Sequence, residues 1–213
     1  MNQIAFQNVV PQVFGTGLLT SDIWQKEVVF ERGRCYLIEA ESGKGKSTFC
    51  SYVLGYRNDY SGRILFDGKD ARGLDIKGWT RLRQQHISCL FQELRLFPEL
   101  TAYENVEIKN KLTRYKTCQQ IEQWFEQLGI ADKLNTPVGR MSFGQQQRVA
   151  LMRALVQPFD FLLADEPISH LDDRNAQVMA TLVAQEADAQ GAAVLVTSIG
   201  KRLPLNYDFT LQL

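Results

Sequence analysis

The chain has 213 residues, of which 45% are hydrophobic, and its 24 basic side chains equal its 24 acidic ones. This length suffices for one full core with a small subdomain, and zero net charge gives no support for nucleic-acid binding. No apolar run reaches the roughly 18–20 residues that a membrane span needs. We expect no secretory leader, because the first residues lack a basic and then apolar pattern. The four cysteines are widely spaced and only two histidines occur, so we expect scattered thiols rather than a zinc site.

Strands and helices alternate along the chain. Apolar runs bounded by turn residues predict strands at 34–40, 62–68, 86–92, 159–165, 192–198 and 207–213. Helical spacing and end signals predict helices at 46–56, 79–85, 144–157 and 173–191, with a helical block at about 101–128. This order predicts an α/β fold with a mostly parallel core sheet flanked by helices. The helical block interrupts the alternation, which predicts an inserted subdomain.

A glycine-rich run, ESGKGKST, follows the predicted strand at 34–40 and precedes the predicted helix at 46–56. In the glycine loop, defined as Ala40 together with this run (residues 40–48), the glycines let N–H groups point inward, and the helix N-terminus adds partial positive charge. The run predicts a phosphate-binding loop whose lysine reaches the β- and γ-phosphates and whose next hydroxyl holds Mg²⁺. The alternative is an ordinary solvated turn. The predicted nucleotide-binding residues of the loop are Ser42, Gly43, Lys44, Gly45, Lys46, Ser47 and Thr48.

Two carboxylates, Asp165 and Glu166, end the apolar strand predicted at 159–165. Asp165 would organise the Mg²⁺ shell, because Mg²⁺ takes one or two carboxylates together with phosphate oxygens and waters. Glu166 would polarise a water for in-line attack on the γ-phosphate. The alternative is that both carboxylates only cap the following turn.

Between these two sites lies MSFGQQQRVALMRAL (residues 141–155). It resembles the signature of ATP-binding cassette (ABC) ATPases, L-S-G-G-Q followed by a helix rich in R-V-A-x-A-R-A-L. The family's glutamine loop is similar to LFQELRLFPELTAYENV, in which Gln92 would be the glutamine. Its S-A-L-D loop resembles SHLD (residues 169–172). The resemblance covers nearly the whole chain. It implies one ABC ATPase domain over 1–213, with a P-loop NTPase core at about 1–92 and 157–213 and a helical subdomain at about 93–156.

The resemblance implies that two cassettes sandwich two ATP molecules head to tail, as a homodimer or as a heterodimer with a second cassette. The signature helix of one chain would contact the γ-phosphate that the other chain holds. Gln92 would touch Mg²⁺ or the attacking water. The residues implied to reach across the dimer are Ser142, Gly144, Gln145 and Asp172, and the expected metal ligands are Ser47, Gln92 and Asp165.

In the family, the region after the glutamine receives a short helix from a membrane-spanning transporter subunit. Here that region contains Leu94, Leu96, Phe97, Leu100 and Tyr103. The alternative is that these side chains only cover the core of the helical subdomain. The resemblance implies a membrane subunit as partner, no nucleic acid, and a cytoplasmic position on the inner face of the membrane.

The family also stacks an aromatic side chain on adenine, which is worth about 1–3 kcal/mol. Phe14 is the best-placed candidate upstream of the glycine loop, and Trp24 is a weaker one that we expect in the core.

The sequence departs from the family pattern at three positions. Ala40 replaces the first glycine of the loop and is tolerated only where φ is negative. Phe143 replaces a signature glycine at a crowded dimer face, and Ser198 stands where the family has a switch histidine. A serine hydroxyl is shorter and carries no positive charge, and loss of one transition-state donor costs on the order of 10²–10³ in rate. The predicted catalytic residues are Lys46, Gln92, Glu166 and Ser198.

Two functions remain open at this point. The first is a slow ATPase subunit that powers a membrane transporter. The second is a regulatory module that binds ATP and dimerises with little hydrolysis. The serine at position 198 favours the second, whereas the intact carboxylates Asp165 and Glu166 favour the first.

Overall fold

The computed structural model describes residues 1–15, 20–41, 43, 45–168 and 172–213. The strands are β1 Gln3–Pro11, β2 Glu27–Glu31, β3 Cys35–Glu39, β4 Tyr60–Phe66, β5 Lys69–Asp70, β6 Ile87–Leu90, β7 Phe161–Asp165, β8 Ala193–Ser198 and β9 Phe209–Gln212. The α-helices are α1 Lys46–Val53, α2 Ile76–Gln85, α3 Ala102–Thr113, α4 Cys118–Gln127, α5 Phe143–Leu155 and α6 Asp173–Gln190.

A five-stranded parallel sheet in the order β6-β7-β8-β3-β9 forms the centre of the fold. The strands β6 and β8 are buried at every position, as expected for a parallel sheet that is covered on both faces. In the register of the sheet, Asp165 lies beside Thr197 and Glu39 lies beside Ser198. The predicted α/β architecture is therefore confirmed, and the glycine loop, the acidic strand and the turn after β8 meet at one edge.

A second sheet, which the sequence reasoning did not predict, contains four antiparallel strands in the order β2-β1-β4-β5. The predicted strand at 62–68 belongs to this sheet as β4 rather than to the parallel one. A bulge in β1 brings Asn8 against Gly62, where a Cβ atom would lie 2.3 Å from the Asn8 carbonyl oxygen. Only glycine fits at that position. The antiparallel sheet packs the aromatic rings Phe6 and Phe30 against Phe49 of α1.

The predicted helical block at 101–128 divides into α3 and α4, because Arg114 adopts a positive φ of 51° after the end of α3. The predicted apolar face of α4 is buried and comprises Ile121, Trp124, Phe125 and Leu128. Gly129, with a φ of 65°, follows the helix as expected for a C-terminal glycine. Helix α5 packs against α3 and against β6, so it links the helical block to the parallel sheet.

Candidate nucleotide-binding site

The N-terminus of α1 is open toward the glycine loop. Its N-cap is Gly45, which has a φ of 102° and no side chain to accept a hydrogen bond. Every other α-helix in the described part of the chain has a side-chain N-cap. The first N–H groups of α1 therefore remain available to an anion, which is the arrangement that binds phosphate.

The backbone at Ala40 meets the condition under which alanine can replace the first glycine of the loop, namely that φ is not positive. The described non-glycine residues with a positive φ do not include Ala40, so the extra methyl group causes no strain there. Its carbonyl oxygen accepts a hydrogen bond from Lys46 Nζ at 3.5 Å. The lysine thus points back over the glycine loop.

Lys46, Glu166 and Gln92 form one connected group. Lys46 Nζ lies 3.4 Å from Glu166 Oε1, and each side chain is no more than 10% exposed. Gln92 Nε2 donates to Glu166 Oε2 at 3.2 Å. The group therefore brings together the lysine predicted to bind phosphate, the carboxylate predicted to polarise water and the glutamine that follows β6.

Glu166 has a strained backbone, with a φ of 48°. Its N–H donates to the Thr197 carbonyl oxygen at 3.2 Å, which holds the residue in this conformation. Left-handed conformations of non-glycine residues cost about 1–3 kcal/mol and occur often at functional sites. The strain directs the carboxylate toward Lys46 rather than along the direction of β7.

A cavity of about 110 Å³ beside this group is lined by Ser47, Gln92 and Asp165. Thr197 Oγ1 donates to Asp165 Oδ1 at 2.5 Å and orients that carboxylate. The hydroxyl, amide and carboxylate oxygens are hard donors of the kind that Mg²⁺ prefers, so these residues fit the ion. Cys50 also lines the cavity, but burial and then the Asp165 carboxylate raise the pKa of its thiol well above the ordinary value. It stays neutral there.

Phe14, which is predicted to stack on adenine, lies against the glycine loop. Its ring is half-buried, and its Cζ would lie 2.9 Å from a Cβ atom placed on Gly45. Trp24 is only 1% exposed and belongs to the core. The predicted loop residue Thr48 is also buried, and its hydroxyl accepts a hydrogen bond from Arg57 Nη1 at 3.3 Å.

The signature segment begins α5 with a reciprocal cap. The Gln145 N–H donates to Ser142 Oγ at 3.4 Å, and the Ser142 N–H donates to Gln145 Oε1 at 3.0 Å. Phe143, which replaces a signature glycine, is 44% exposed. Ser142 is exposed, while Gly144 and Gln145 are partly exposed. The residues that would reach across a dimer therefore lie on an accessible surface.

Helix α5 is also tied to the acidic end of the sheet. Gln147 Nε2 donates to the carbonyl oxygen of Pro167, directly after Glu166, at 3.1 Å. Arg148 Nη1 donates to Asn175 Oδ1, and the Asn175 N–H donates to the predicted residue Asp172 at 2.8 Å. The sequence reasoning missed these glutamine and arginine side chains, although both stand in the signature segment.

Ser198 is 1% exposed and uses its hydroxyl within its own turn. The hydroxyl donates to the Lys201 carbonyl oxygen at 2.7 Å and accepts from the Gly200 N–H at 3.0 Å. Sequence reasoning also missed Thr197, and the signal was a polar residue next to Ser198 at the end of a buried strand. The predicted binding residues Ser42 and Lys44, and residues 169–171 of SHLD, lie outside the described residues.

An open helix N-terminus after a parallel strand, with a lysine and two carboxylates beside it, defines a P-loop nucleotide-binding protein. The family model described as "ABC transporter" matches residues 25–169, about two thirds of the chain. The chain belongs to the ABC transporter family, and its fold is that of the family's ATP-binding cassettes. Cassettes of this family are generally ATPases that bind ATP, usually with Mg²⁺.

Three curated relatives illustrate the similarity. The ABC transporter ATP-binding protein YtrE of Bacillus subtilis is 33% identical over 168 residues, which cover 78% of this chain and 73% of YtrE. The uncharacterized ABC transporter ATP-binding protein YbbA of Escherichia coli K12 is 32% identical over 190 residues, covering 88% and 83%. The macrolide export ATP-binding/permease protein MacB 2 of Aeromonas hydrophila is 34% identical over 176 residues, covering 81% of this chain but 27% of MacB 2.

Solved cassettes share the fold over most of the chain. The dimeric post-hydrolysis structure of the ATP-binding cassette MJ0796 bound to ADP and Pi superimposes with a TM-score of 0.74 at 27% identity. The superposition covers 92% of this chain and 87% of the MJ0796 chain. No helix among the described residues is both long and apolar enough to cross a bilayer.

Proposed function

We propose that this chain binds and hydrolyses ATP as a cassette that dimerises around two ATP molecules and powers a separate membrane subunit. One observation carries the proposal. At the open N-terminus of α1, Glu166 lies 3.4 Å from Lys46 Nζ and accepts a hydrogen bond from Gln92 Nε2 at 3.2 Å. This group contains a phosphate-binding cation, a water-polarising carboxylate and a glutamine that contacts that carboxylate.

ATP would enter with its phosphates on the first N–H groups of α1 and its adenine on Phe14. The Lys46 ammonium would then move from Glu166 to the β- and γ-phosphate oxygens. This exchange frees the carboxylate to accept a proton from the attacking water. Gln92, which now donates to Glu166, would orient that water.

Ser47, Gln92 and Asp165 would hold Mg²⁺, whose charge offsets that of the β- and γ-phosphates when it is bound. Thr197 keeps the Asp165 carboxylate oriented for this role.

The second half of each site would come from another cassette. Ser142, Gly144 and Gln145 lie at the exposed start of α5, where a γ-phosphate of the opposite chain would be bound by the helix N-terminus. Asp172 lies at the N-terminus of α6 and is tied to α5 through Asn175 and Arg148. The dimeric MJ0796 cassettes support this arrangement. The partner cassette would be an identical chain or a second, different cassette.

We place the chain on the cytoplasmic face of a membrane, with a P-loop core at about 1–92 and 157–213 and a helical subdomain at about 93–156. The name of MacB 2 joins ATP-binding and permease functions in one protein, of which this chain matches 27%. A separate permease subunit would supply the corresponding function here. It would contact the region after Gln92.

Hydrolysis is proposed to be slow, because the hydroxyl of Ser198 is engaged in its own turn and carries no positive charge. The same observation favours the second candidate, a regulatory module that binds ATP and dimerises with little turnover. The two candidates differ in one measurement, the turnover number of the purified protein with its membrane partner.

The test uses Glu166→Gln, which removes the proton acceptor while keeping the shape of the side chain. We expect turnover to fall by at least about 10²-fold and ATP to trap a two-chain particle of twice 24.3 kDa, measured by light scattering after size exclusion. Glu99→Gln is the matched control, since that carboxylate is exposed in the loop after Gln92 and does not line the cavity beside Asp165. It should keep the turnover of the wild type and release its dimer after hydrolysis. A monomer in both variants, with no ATP bound, would refute the proposed function.

A further inference from the structure

The indole of Trp24 carries a polar atom that the fold leaves without a partner. The side chain is only 1% exposed. Its Nε1 is one of the buried side-chain nitrogen atoms that have no hydrogen-bond partner among the described residues. A buried indole N–H usually finds an acceptor, because a donor that is removed from water without one destabilises the folded state. An unpaired donor in so buried a position therefore indicates an acceptor that binds from outside the chain.

The described surroundings of the indole are apolar or already engaged. The Ser21 hydroxyl accepts the backbone N–H of Trp24 at 2.9 Å and donates to the Gln212 carbonyl oxygen at 3.2 Å. The Tyr52 hydroxyl donates to a backbone carbonyl oxygen at 2.8 Å. The aromatic rings with centroids 6.2–6.4 Å from that of Trp24 are those of Phe6, Phe14, Phe49 and Tyr52. These neighbours supply packing for the indole but no acceptor for its N–H.

The unpaired nitrogen faces the glycine loop. A Cβ atom placed on Gly45 would lie 3.4 Å from Trp24 Nε1 and 2.9 Å from Phe14 Cζ. Gly45 is the N-cap of α1, and because glycine carries no side chain, residue 45 does not cover the indole. The indole N–H, the edge of the Phe14 ring and the open end of α1 therefore meet at one point.

This point lies between the two parts of the site that we assign to ATP. The adenine is assigned to Phe14, and the β- and γ-phosphates are assigned to Lys46 and the first N–H groups of α1. In ATP the ribose and the α-phosphate connect these parts, so the α-phosphate passes close to Gly45. Its anionic oxygens are strong acceptors, since hydrogen bonds to charged groups are shorter and stronger than those between neutral groups.

We propose that the Trp24 indole N–H donates a hydrogen bond to an α-phosphate oxygen of the bound nucleotide. The proposal rests on the function proposed above and adds a residue to the nucleotide site. Trp24 is a binding residue in this assignment, because it positions the nucleotide and exchanges no proton with it. Its ring belongs to the core, and only its N–H edge belongs to the site.

The neighbouring Phe14 ring lies where the nucleotide must enter. The ring is half-buried and stands at the end of the short 3₁₀ turn Gln12–Phe14. Gly15 follows it with a φ of 64°. When the ring turns to stack on adenine, it leaves Gly45, and the phosphate takes its place beside the indole N–H. Nucleotide binding thus supplies the acceptor that the described fold lacks.

The aromatic cluster does not require a tryptophan at position 24. Phenylalanine would pack in the same cluster and would bury no unpaired donor. The indole N–H therefore costs stability in the nucleotide-free chain, and the cost is removed only when an acceptor is bound. Because the free and bound states differ in this way, the N–H contributes to nucleotide affinity.

The first experiment compares ATP with adenosine, which has no phosphate, by displacement of a fluorescent ATP analogue. Trp24→Phe removes the N–H and keeps an aromatic ring. We expect the Kd of ATP to rise about tenfold, as for loss of one hydrogen bond to a charged group, and the Kd of adenosine to stay the same. Trp79→Phe is the matched control, because that indole packs on Phe66 and Gly55. It should leave both affinities unchanged.

The second experiment observes the indole N–H directly by nuclear magnetic resonance of the wild type labelled with ¹⁵N-tryptophan. The chain has three tryptophans, and the Trp24 signal is the one that persists in both Trp79→Phe and Trp124→Phe. We expect its proton to shift downfield when AMP binds, as a new hydrogen bond forms. Adenosine should not produce this shift and controls for the effect of the stacked base. This measurement does not depend on the folding of Trp24→Phe.

Three results would overturn the assignment of Trp24. They are an ATP affinity of Trp24→Phe equal to that of the wild type, a parallel loss of ATP and adenosine affinity, and an indole signal that stays in place or moves equally with adenosine and AMP. With normal ATP binding by the wild type, each of them rejects this assignment alone. Failure of the wild type to bind ATP would reject the proposed function and this inference with it.

Discussion

Replacing Lys109 by methionine should stabilise the chain, because the lysine is held in a largely buried position next to the neutral Ser88 hydroxyl. Burial lowers the pKa of this lysine from 10.5 to about 8. A difference of about 2.5 between folded and unfolded pKa values corresponds to about 3 kcal/mol of destabilisation at neutral pH. Loss of the hydrogen bond to Ser88 costs about 1 kcal/mol, and partial exposure of the lysine reduces the penalty. The expected net gain in unfolding free energy is about 1–2 kcal/mol.

The gain should depend on pH in a defined direction. Between about pH 8 and 10.5, the unfolded chain keeps the proton on Lys109 while the folded chain has lost it. The stability of the wild type therefore rises with pH across this window through this residue. The penalty is fully present below about pH 8, so the advantage of the methionine variant is largest there and shrinks toward pH 10.5.

Urea unfolding at pH 7.5 and at pH 9.5 measures both effects, with Lys111→Met as the control for loss of a surface charge. The wild type, Lys109→Met and Lys111→Met are compared at each pH, so that titration of other groups cancels in the differences. An unchanged or lower stability of Lys109→Met at pH 7.5 would contradict the reasoning. So would an advantage that does not change between the two pH values.

Three further predictions concern the nucleotide site. Phe14→Ala should weaken ATP binding by roughly 10- to 100-fold through loss of base stacking. Val13→Ala, at a neighbouring side chain that is 59% exposed, should leave the affinity unchanged. Titration with a fluorescent ATP analogue measures both affinities. Gly45→Ala should lower the melting temperature and ATP affinity more than Gly43→Ala, because both have positive φ but only the Cβ at Gly45 meets the Phe14 ring; equal losses would show that the ring contact is unimportant. Ser198→His should raise steady-state turnover above that of the wild type. If the wild type is already fast and the variant is no faster, Ser198 does not limit hydrolysis.

Local patterns predicted most of the parallel α/β architecture. The helix at 46–56, the strand at 159–165 and the helix at 144–157 were predicted within a few residues of α1, β7 and α5. Helical periodicity, glycines at helix ends and the proline after α5 are features of short stretches of chain. They can therefore be recognised without knowledge of the fold. The glycine loop and the paired carboxylates could be predicted for the same reason, since parallel strands place their carboxyl ends at one edge.

The antiparallel sheet was not predictable in this way. Ile4 pairs with Phe66, and neither segment contains a signal for the other. The bulge at Asn8 in β1 also interrupts the alternation of apolar and polar residues by which a strand is recognised in a sequence. Pairing between distant segments depends on the packing of the whole chain rather than on any one stretch.

The same limit applies to the functional groups. Local patterns predicted Lys46 and Glu166 as site residues, and the family resemblance added Gln92. Their contacts depend on the order of the strands that precede them. Folding also brings Lys109 and Arg153 to one groove from separate helices, and it uses the Ser198 hydroxyl in its own turn. Residue types and short spacings follow from local chemistry, whereas distances, burial and partners arise only when remote segments pack together.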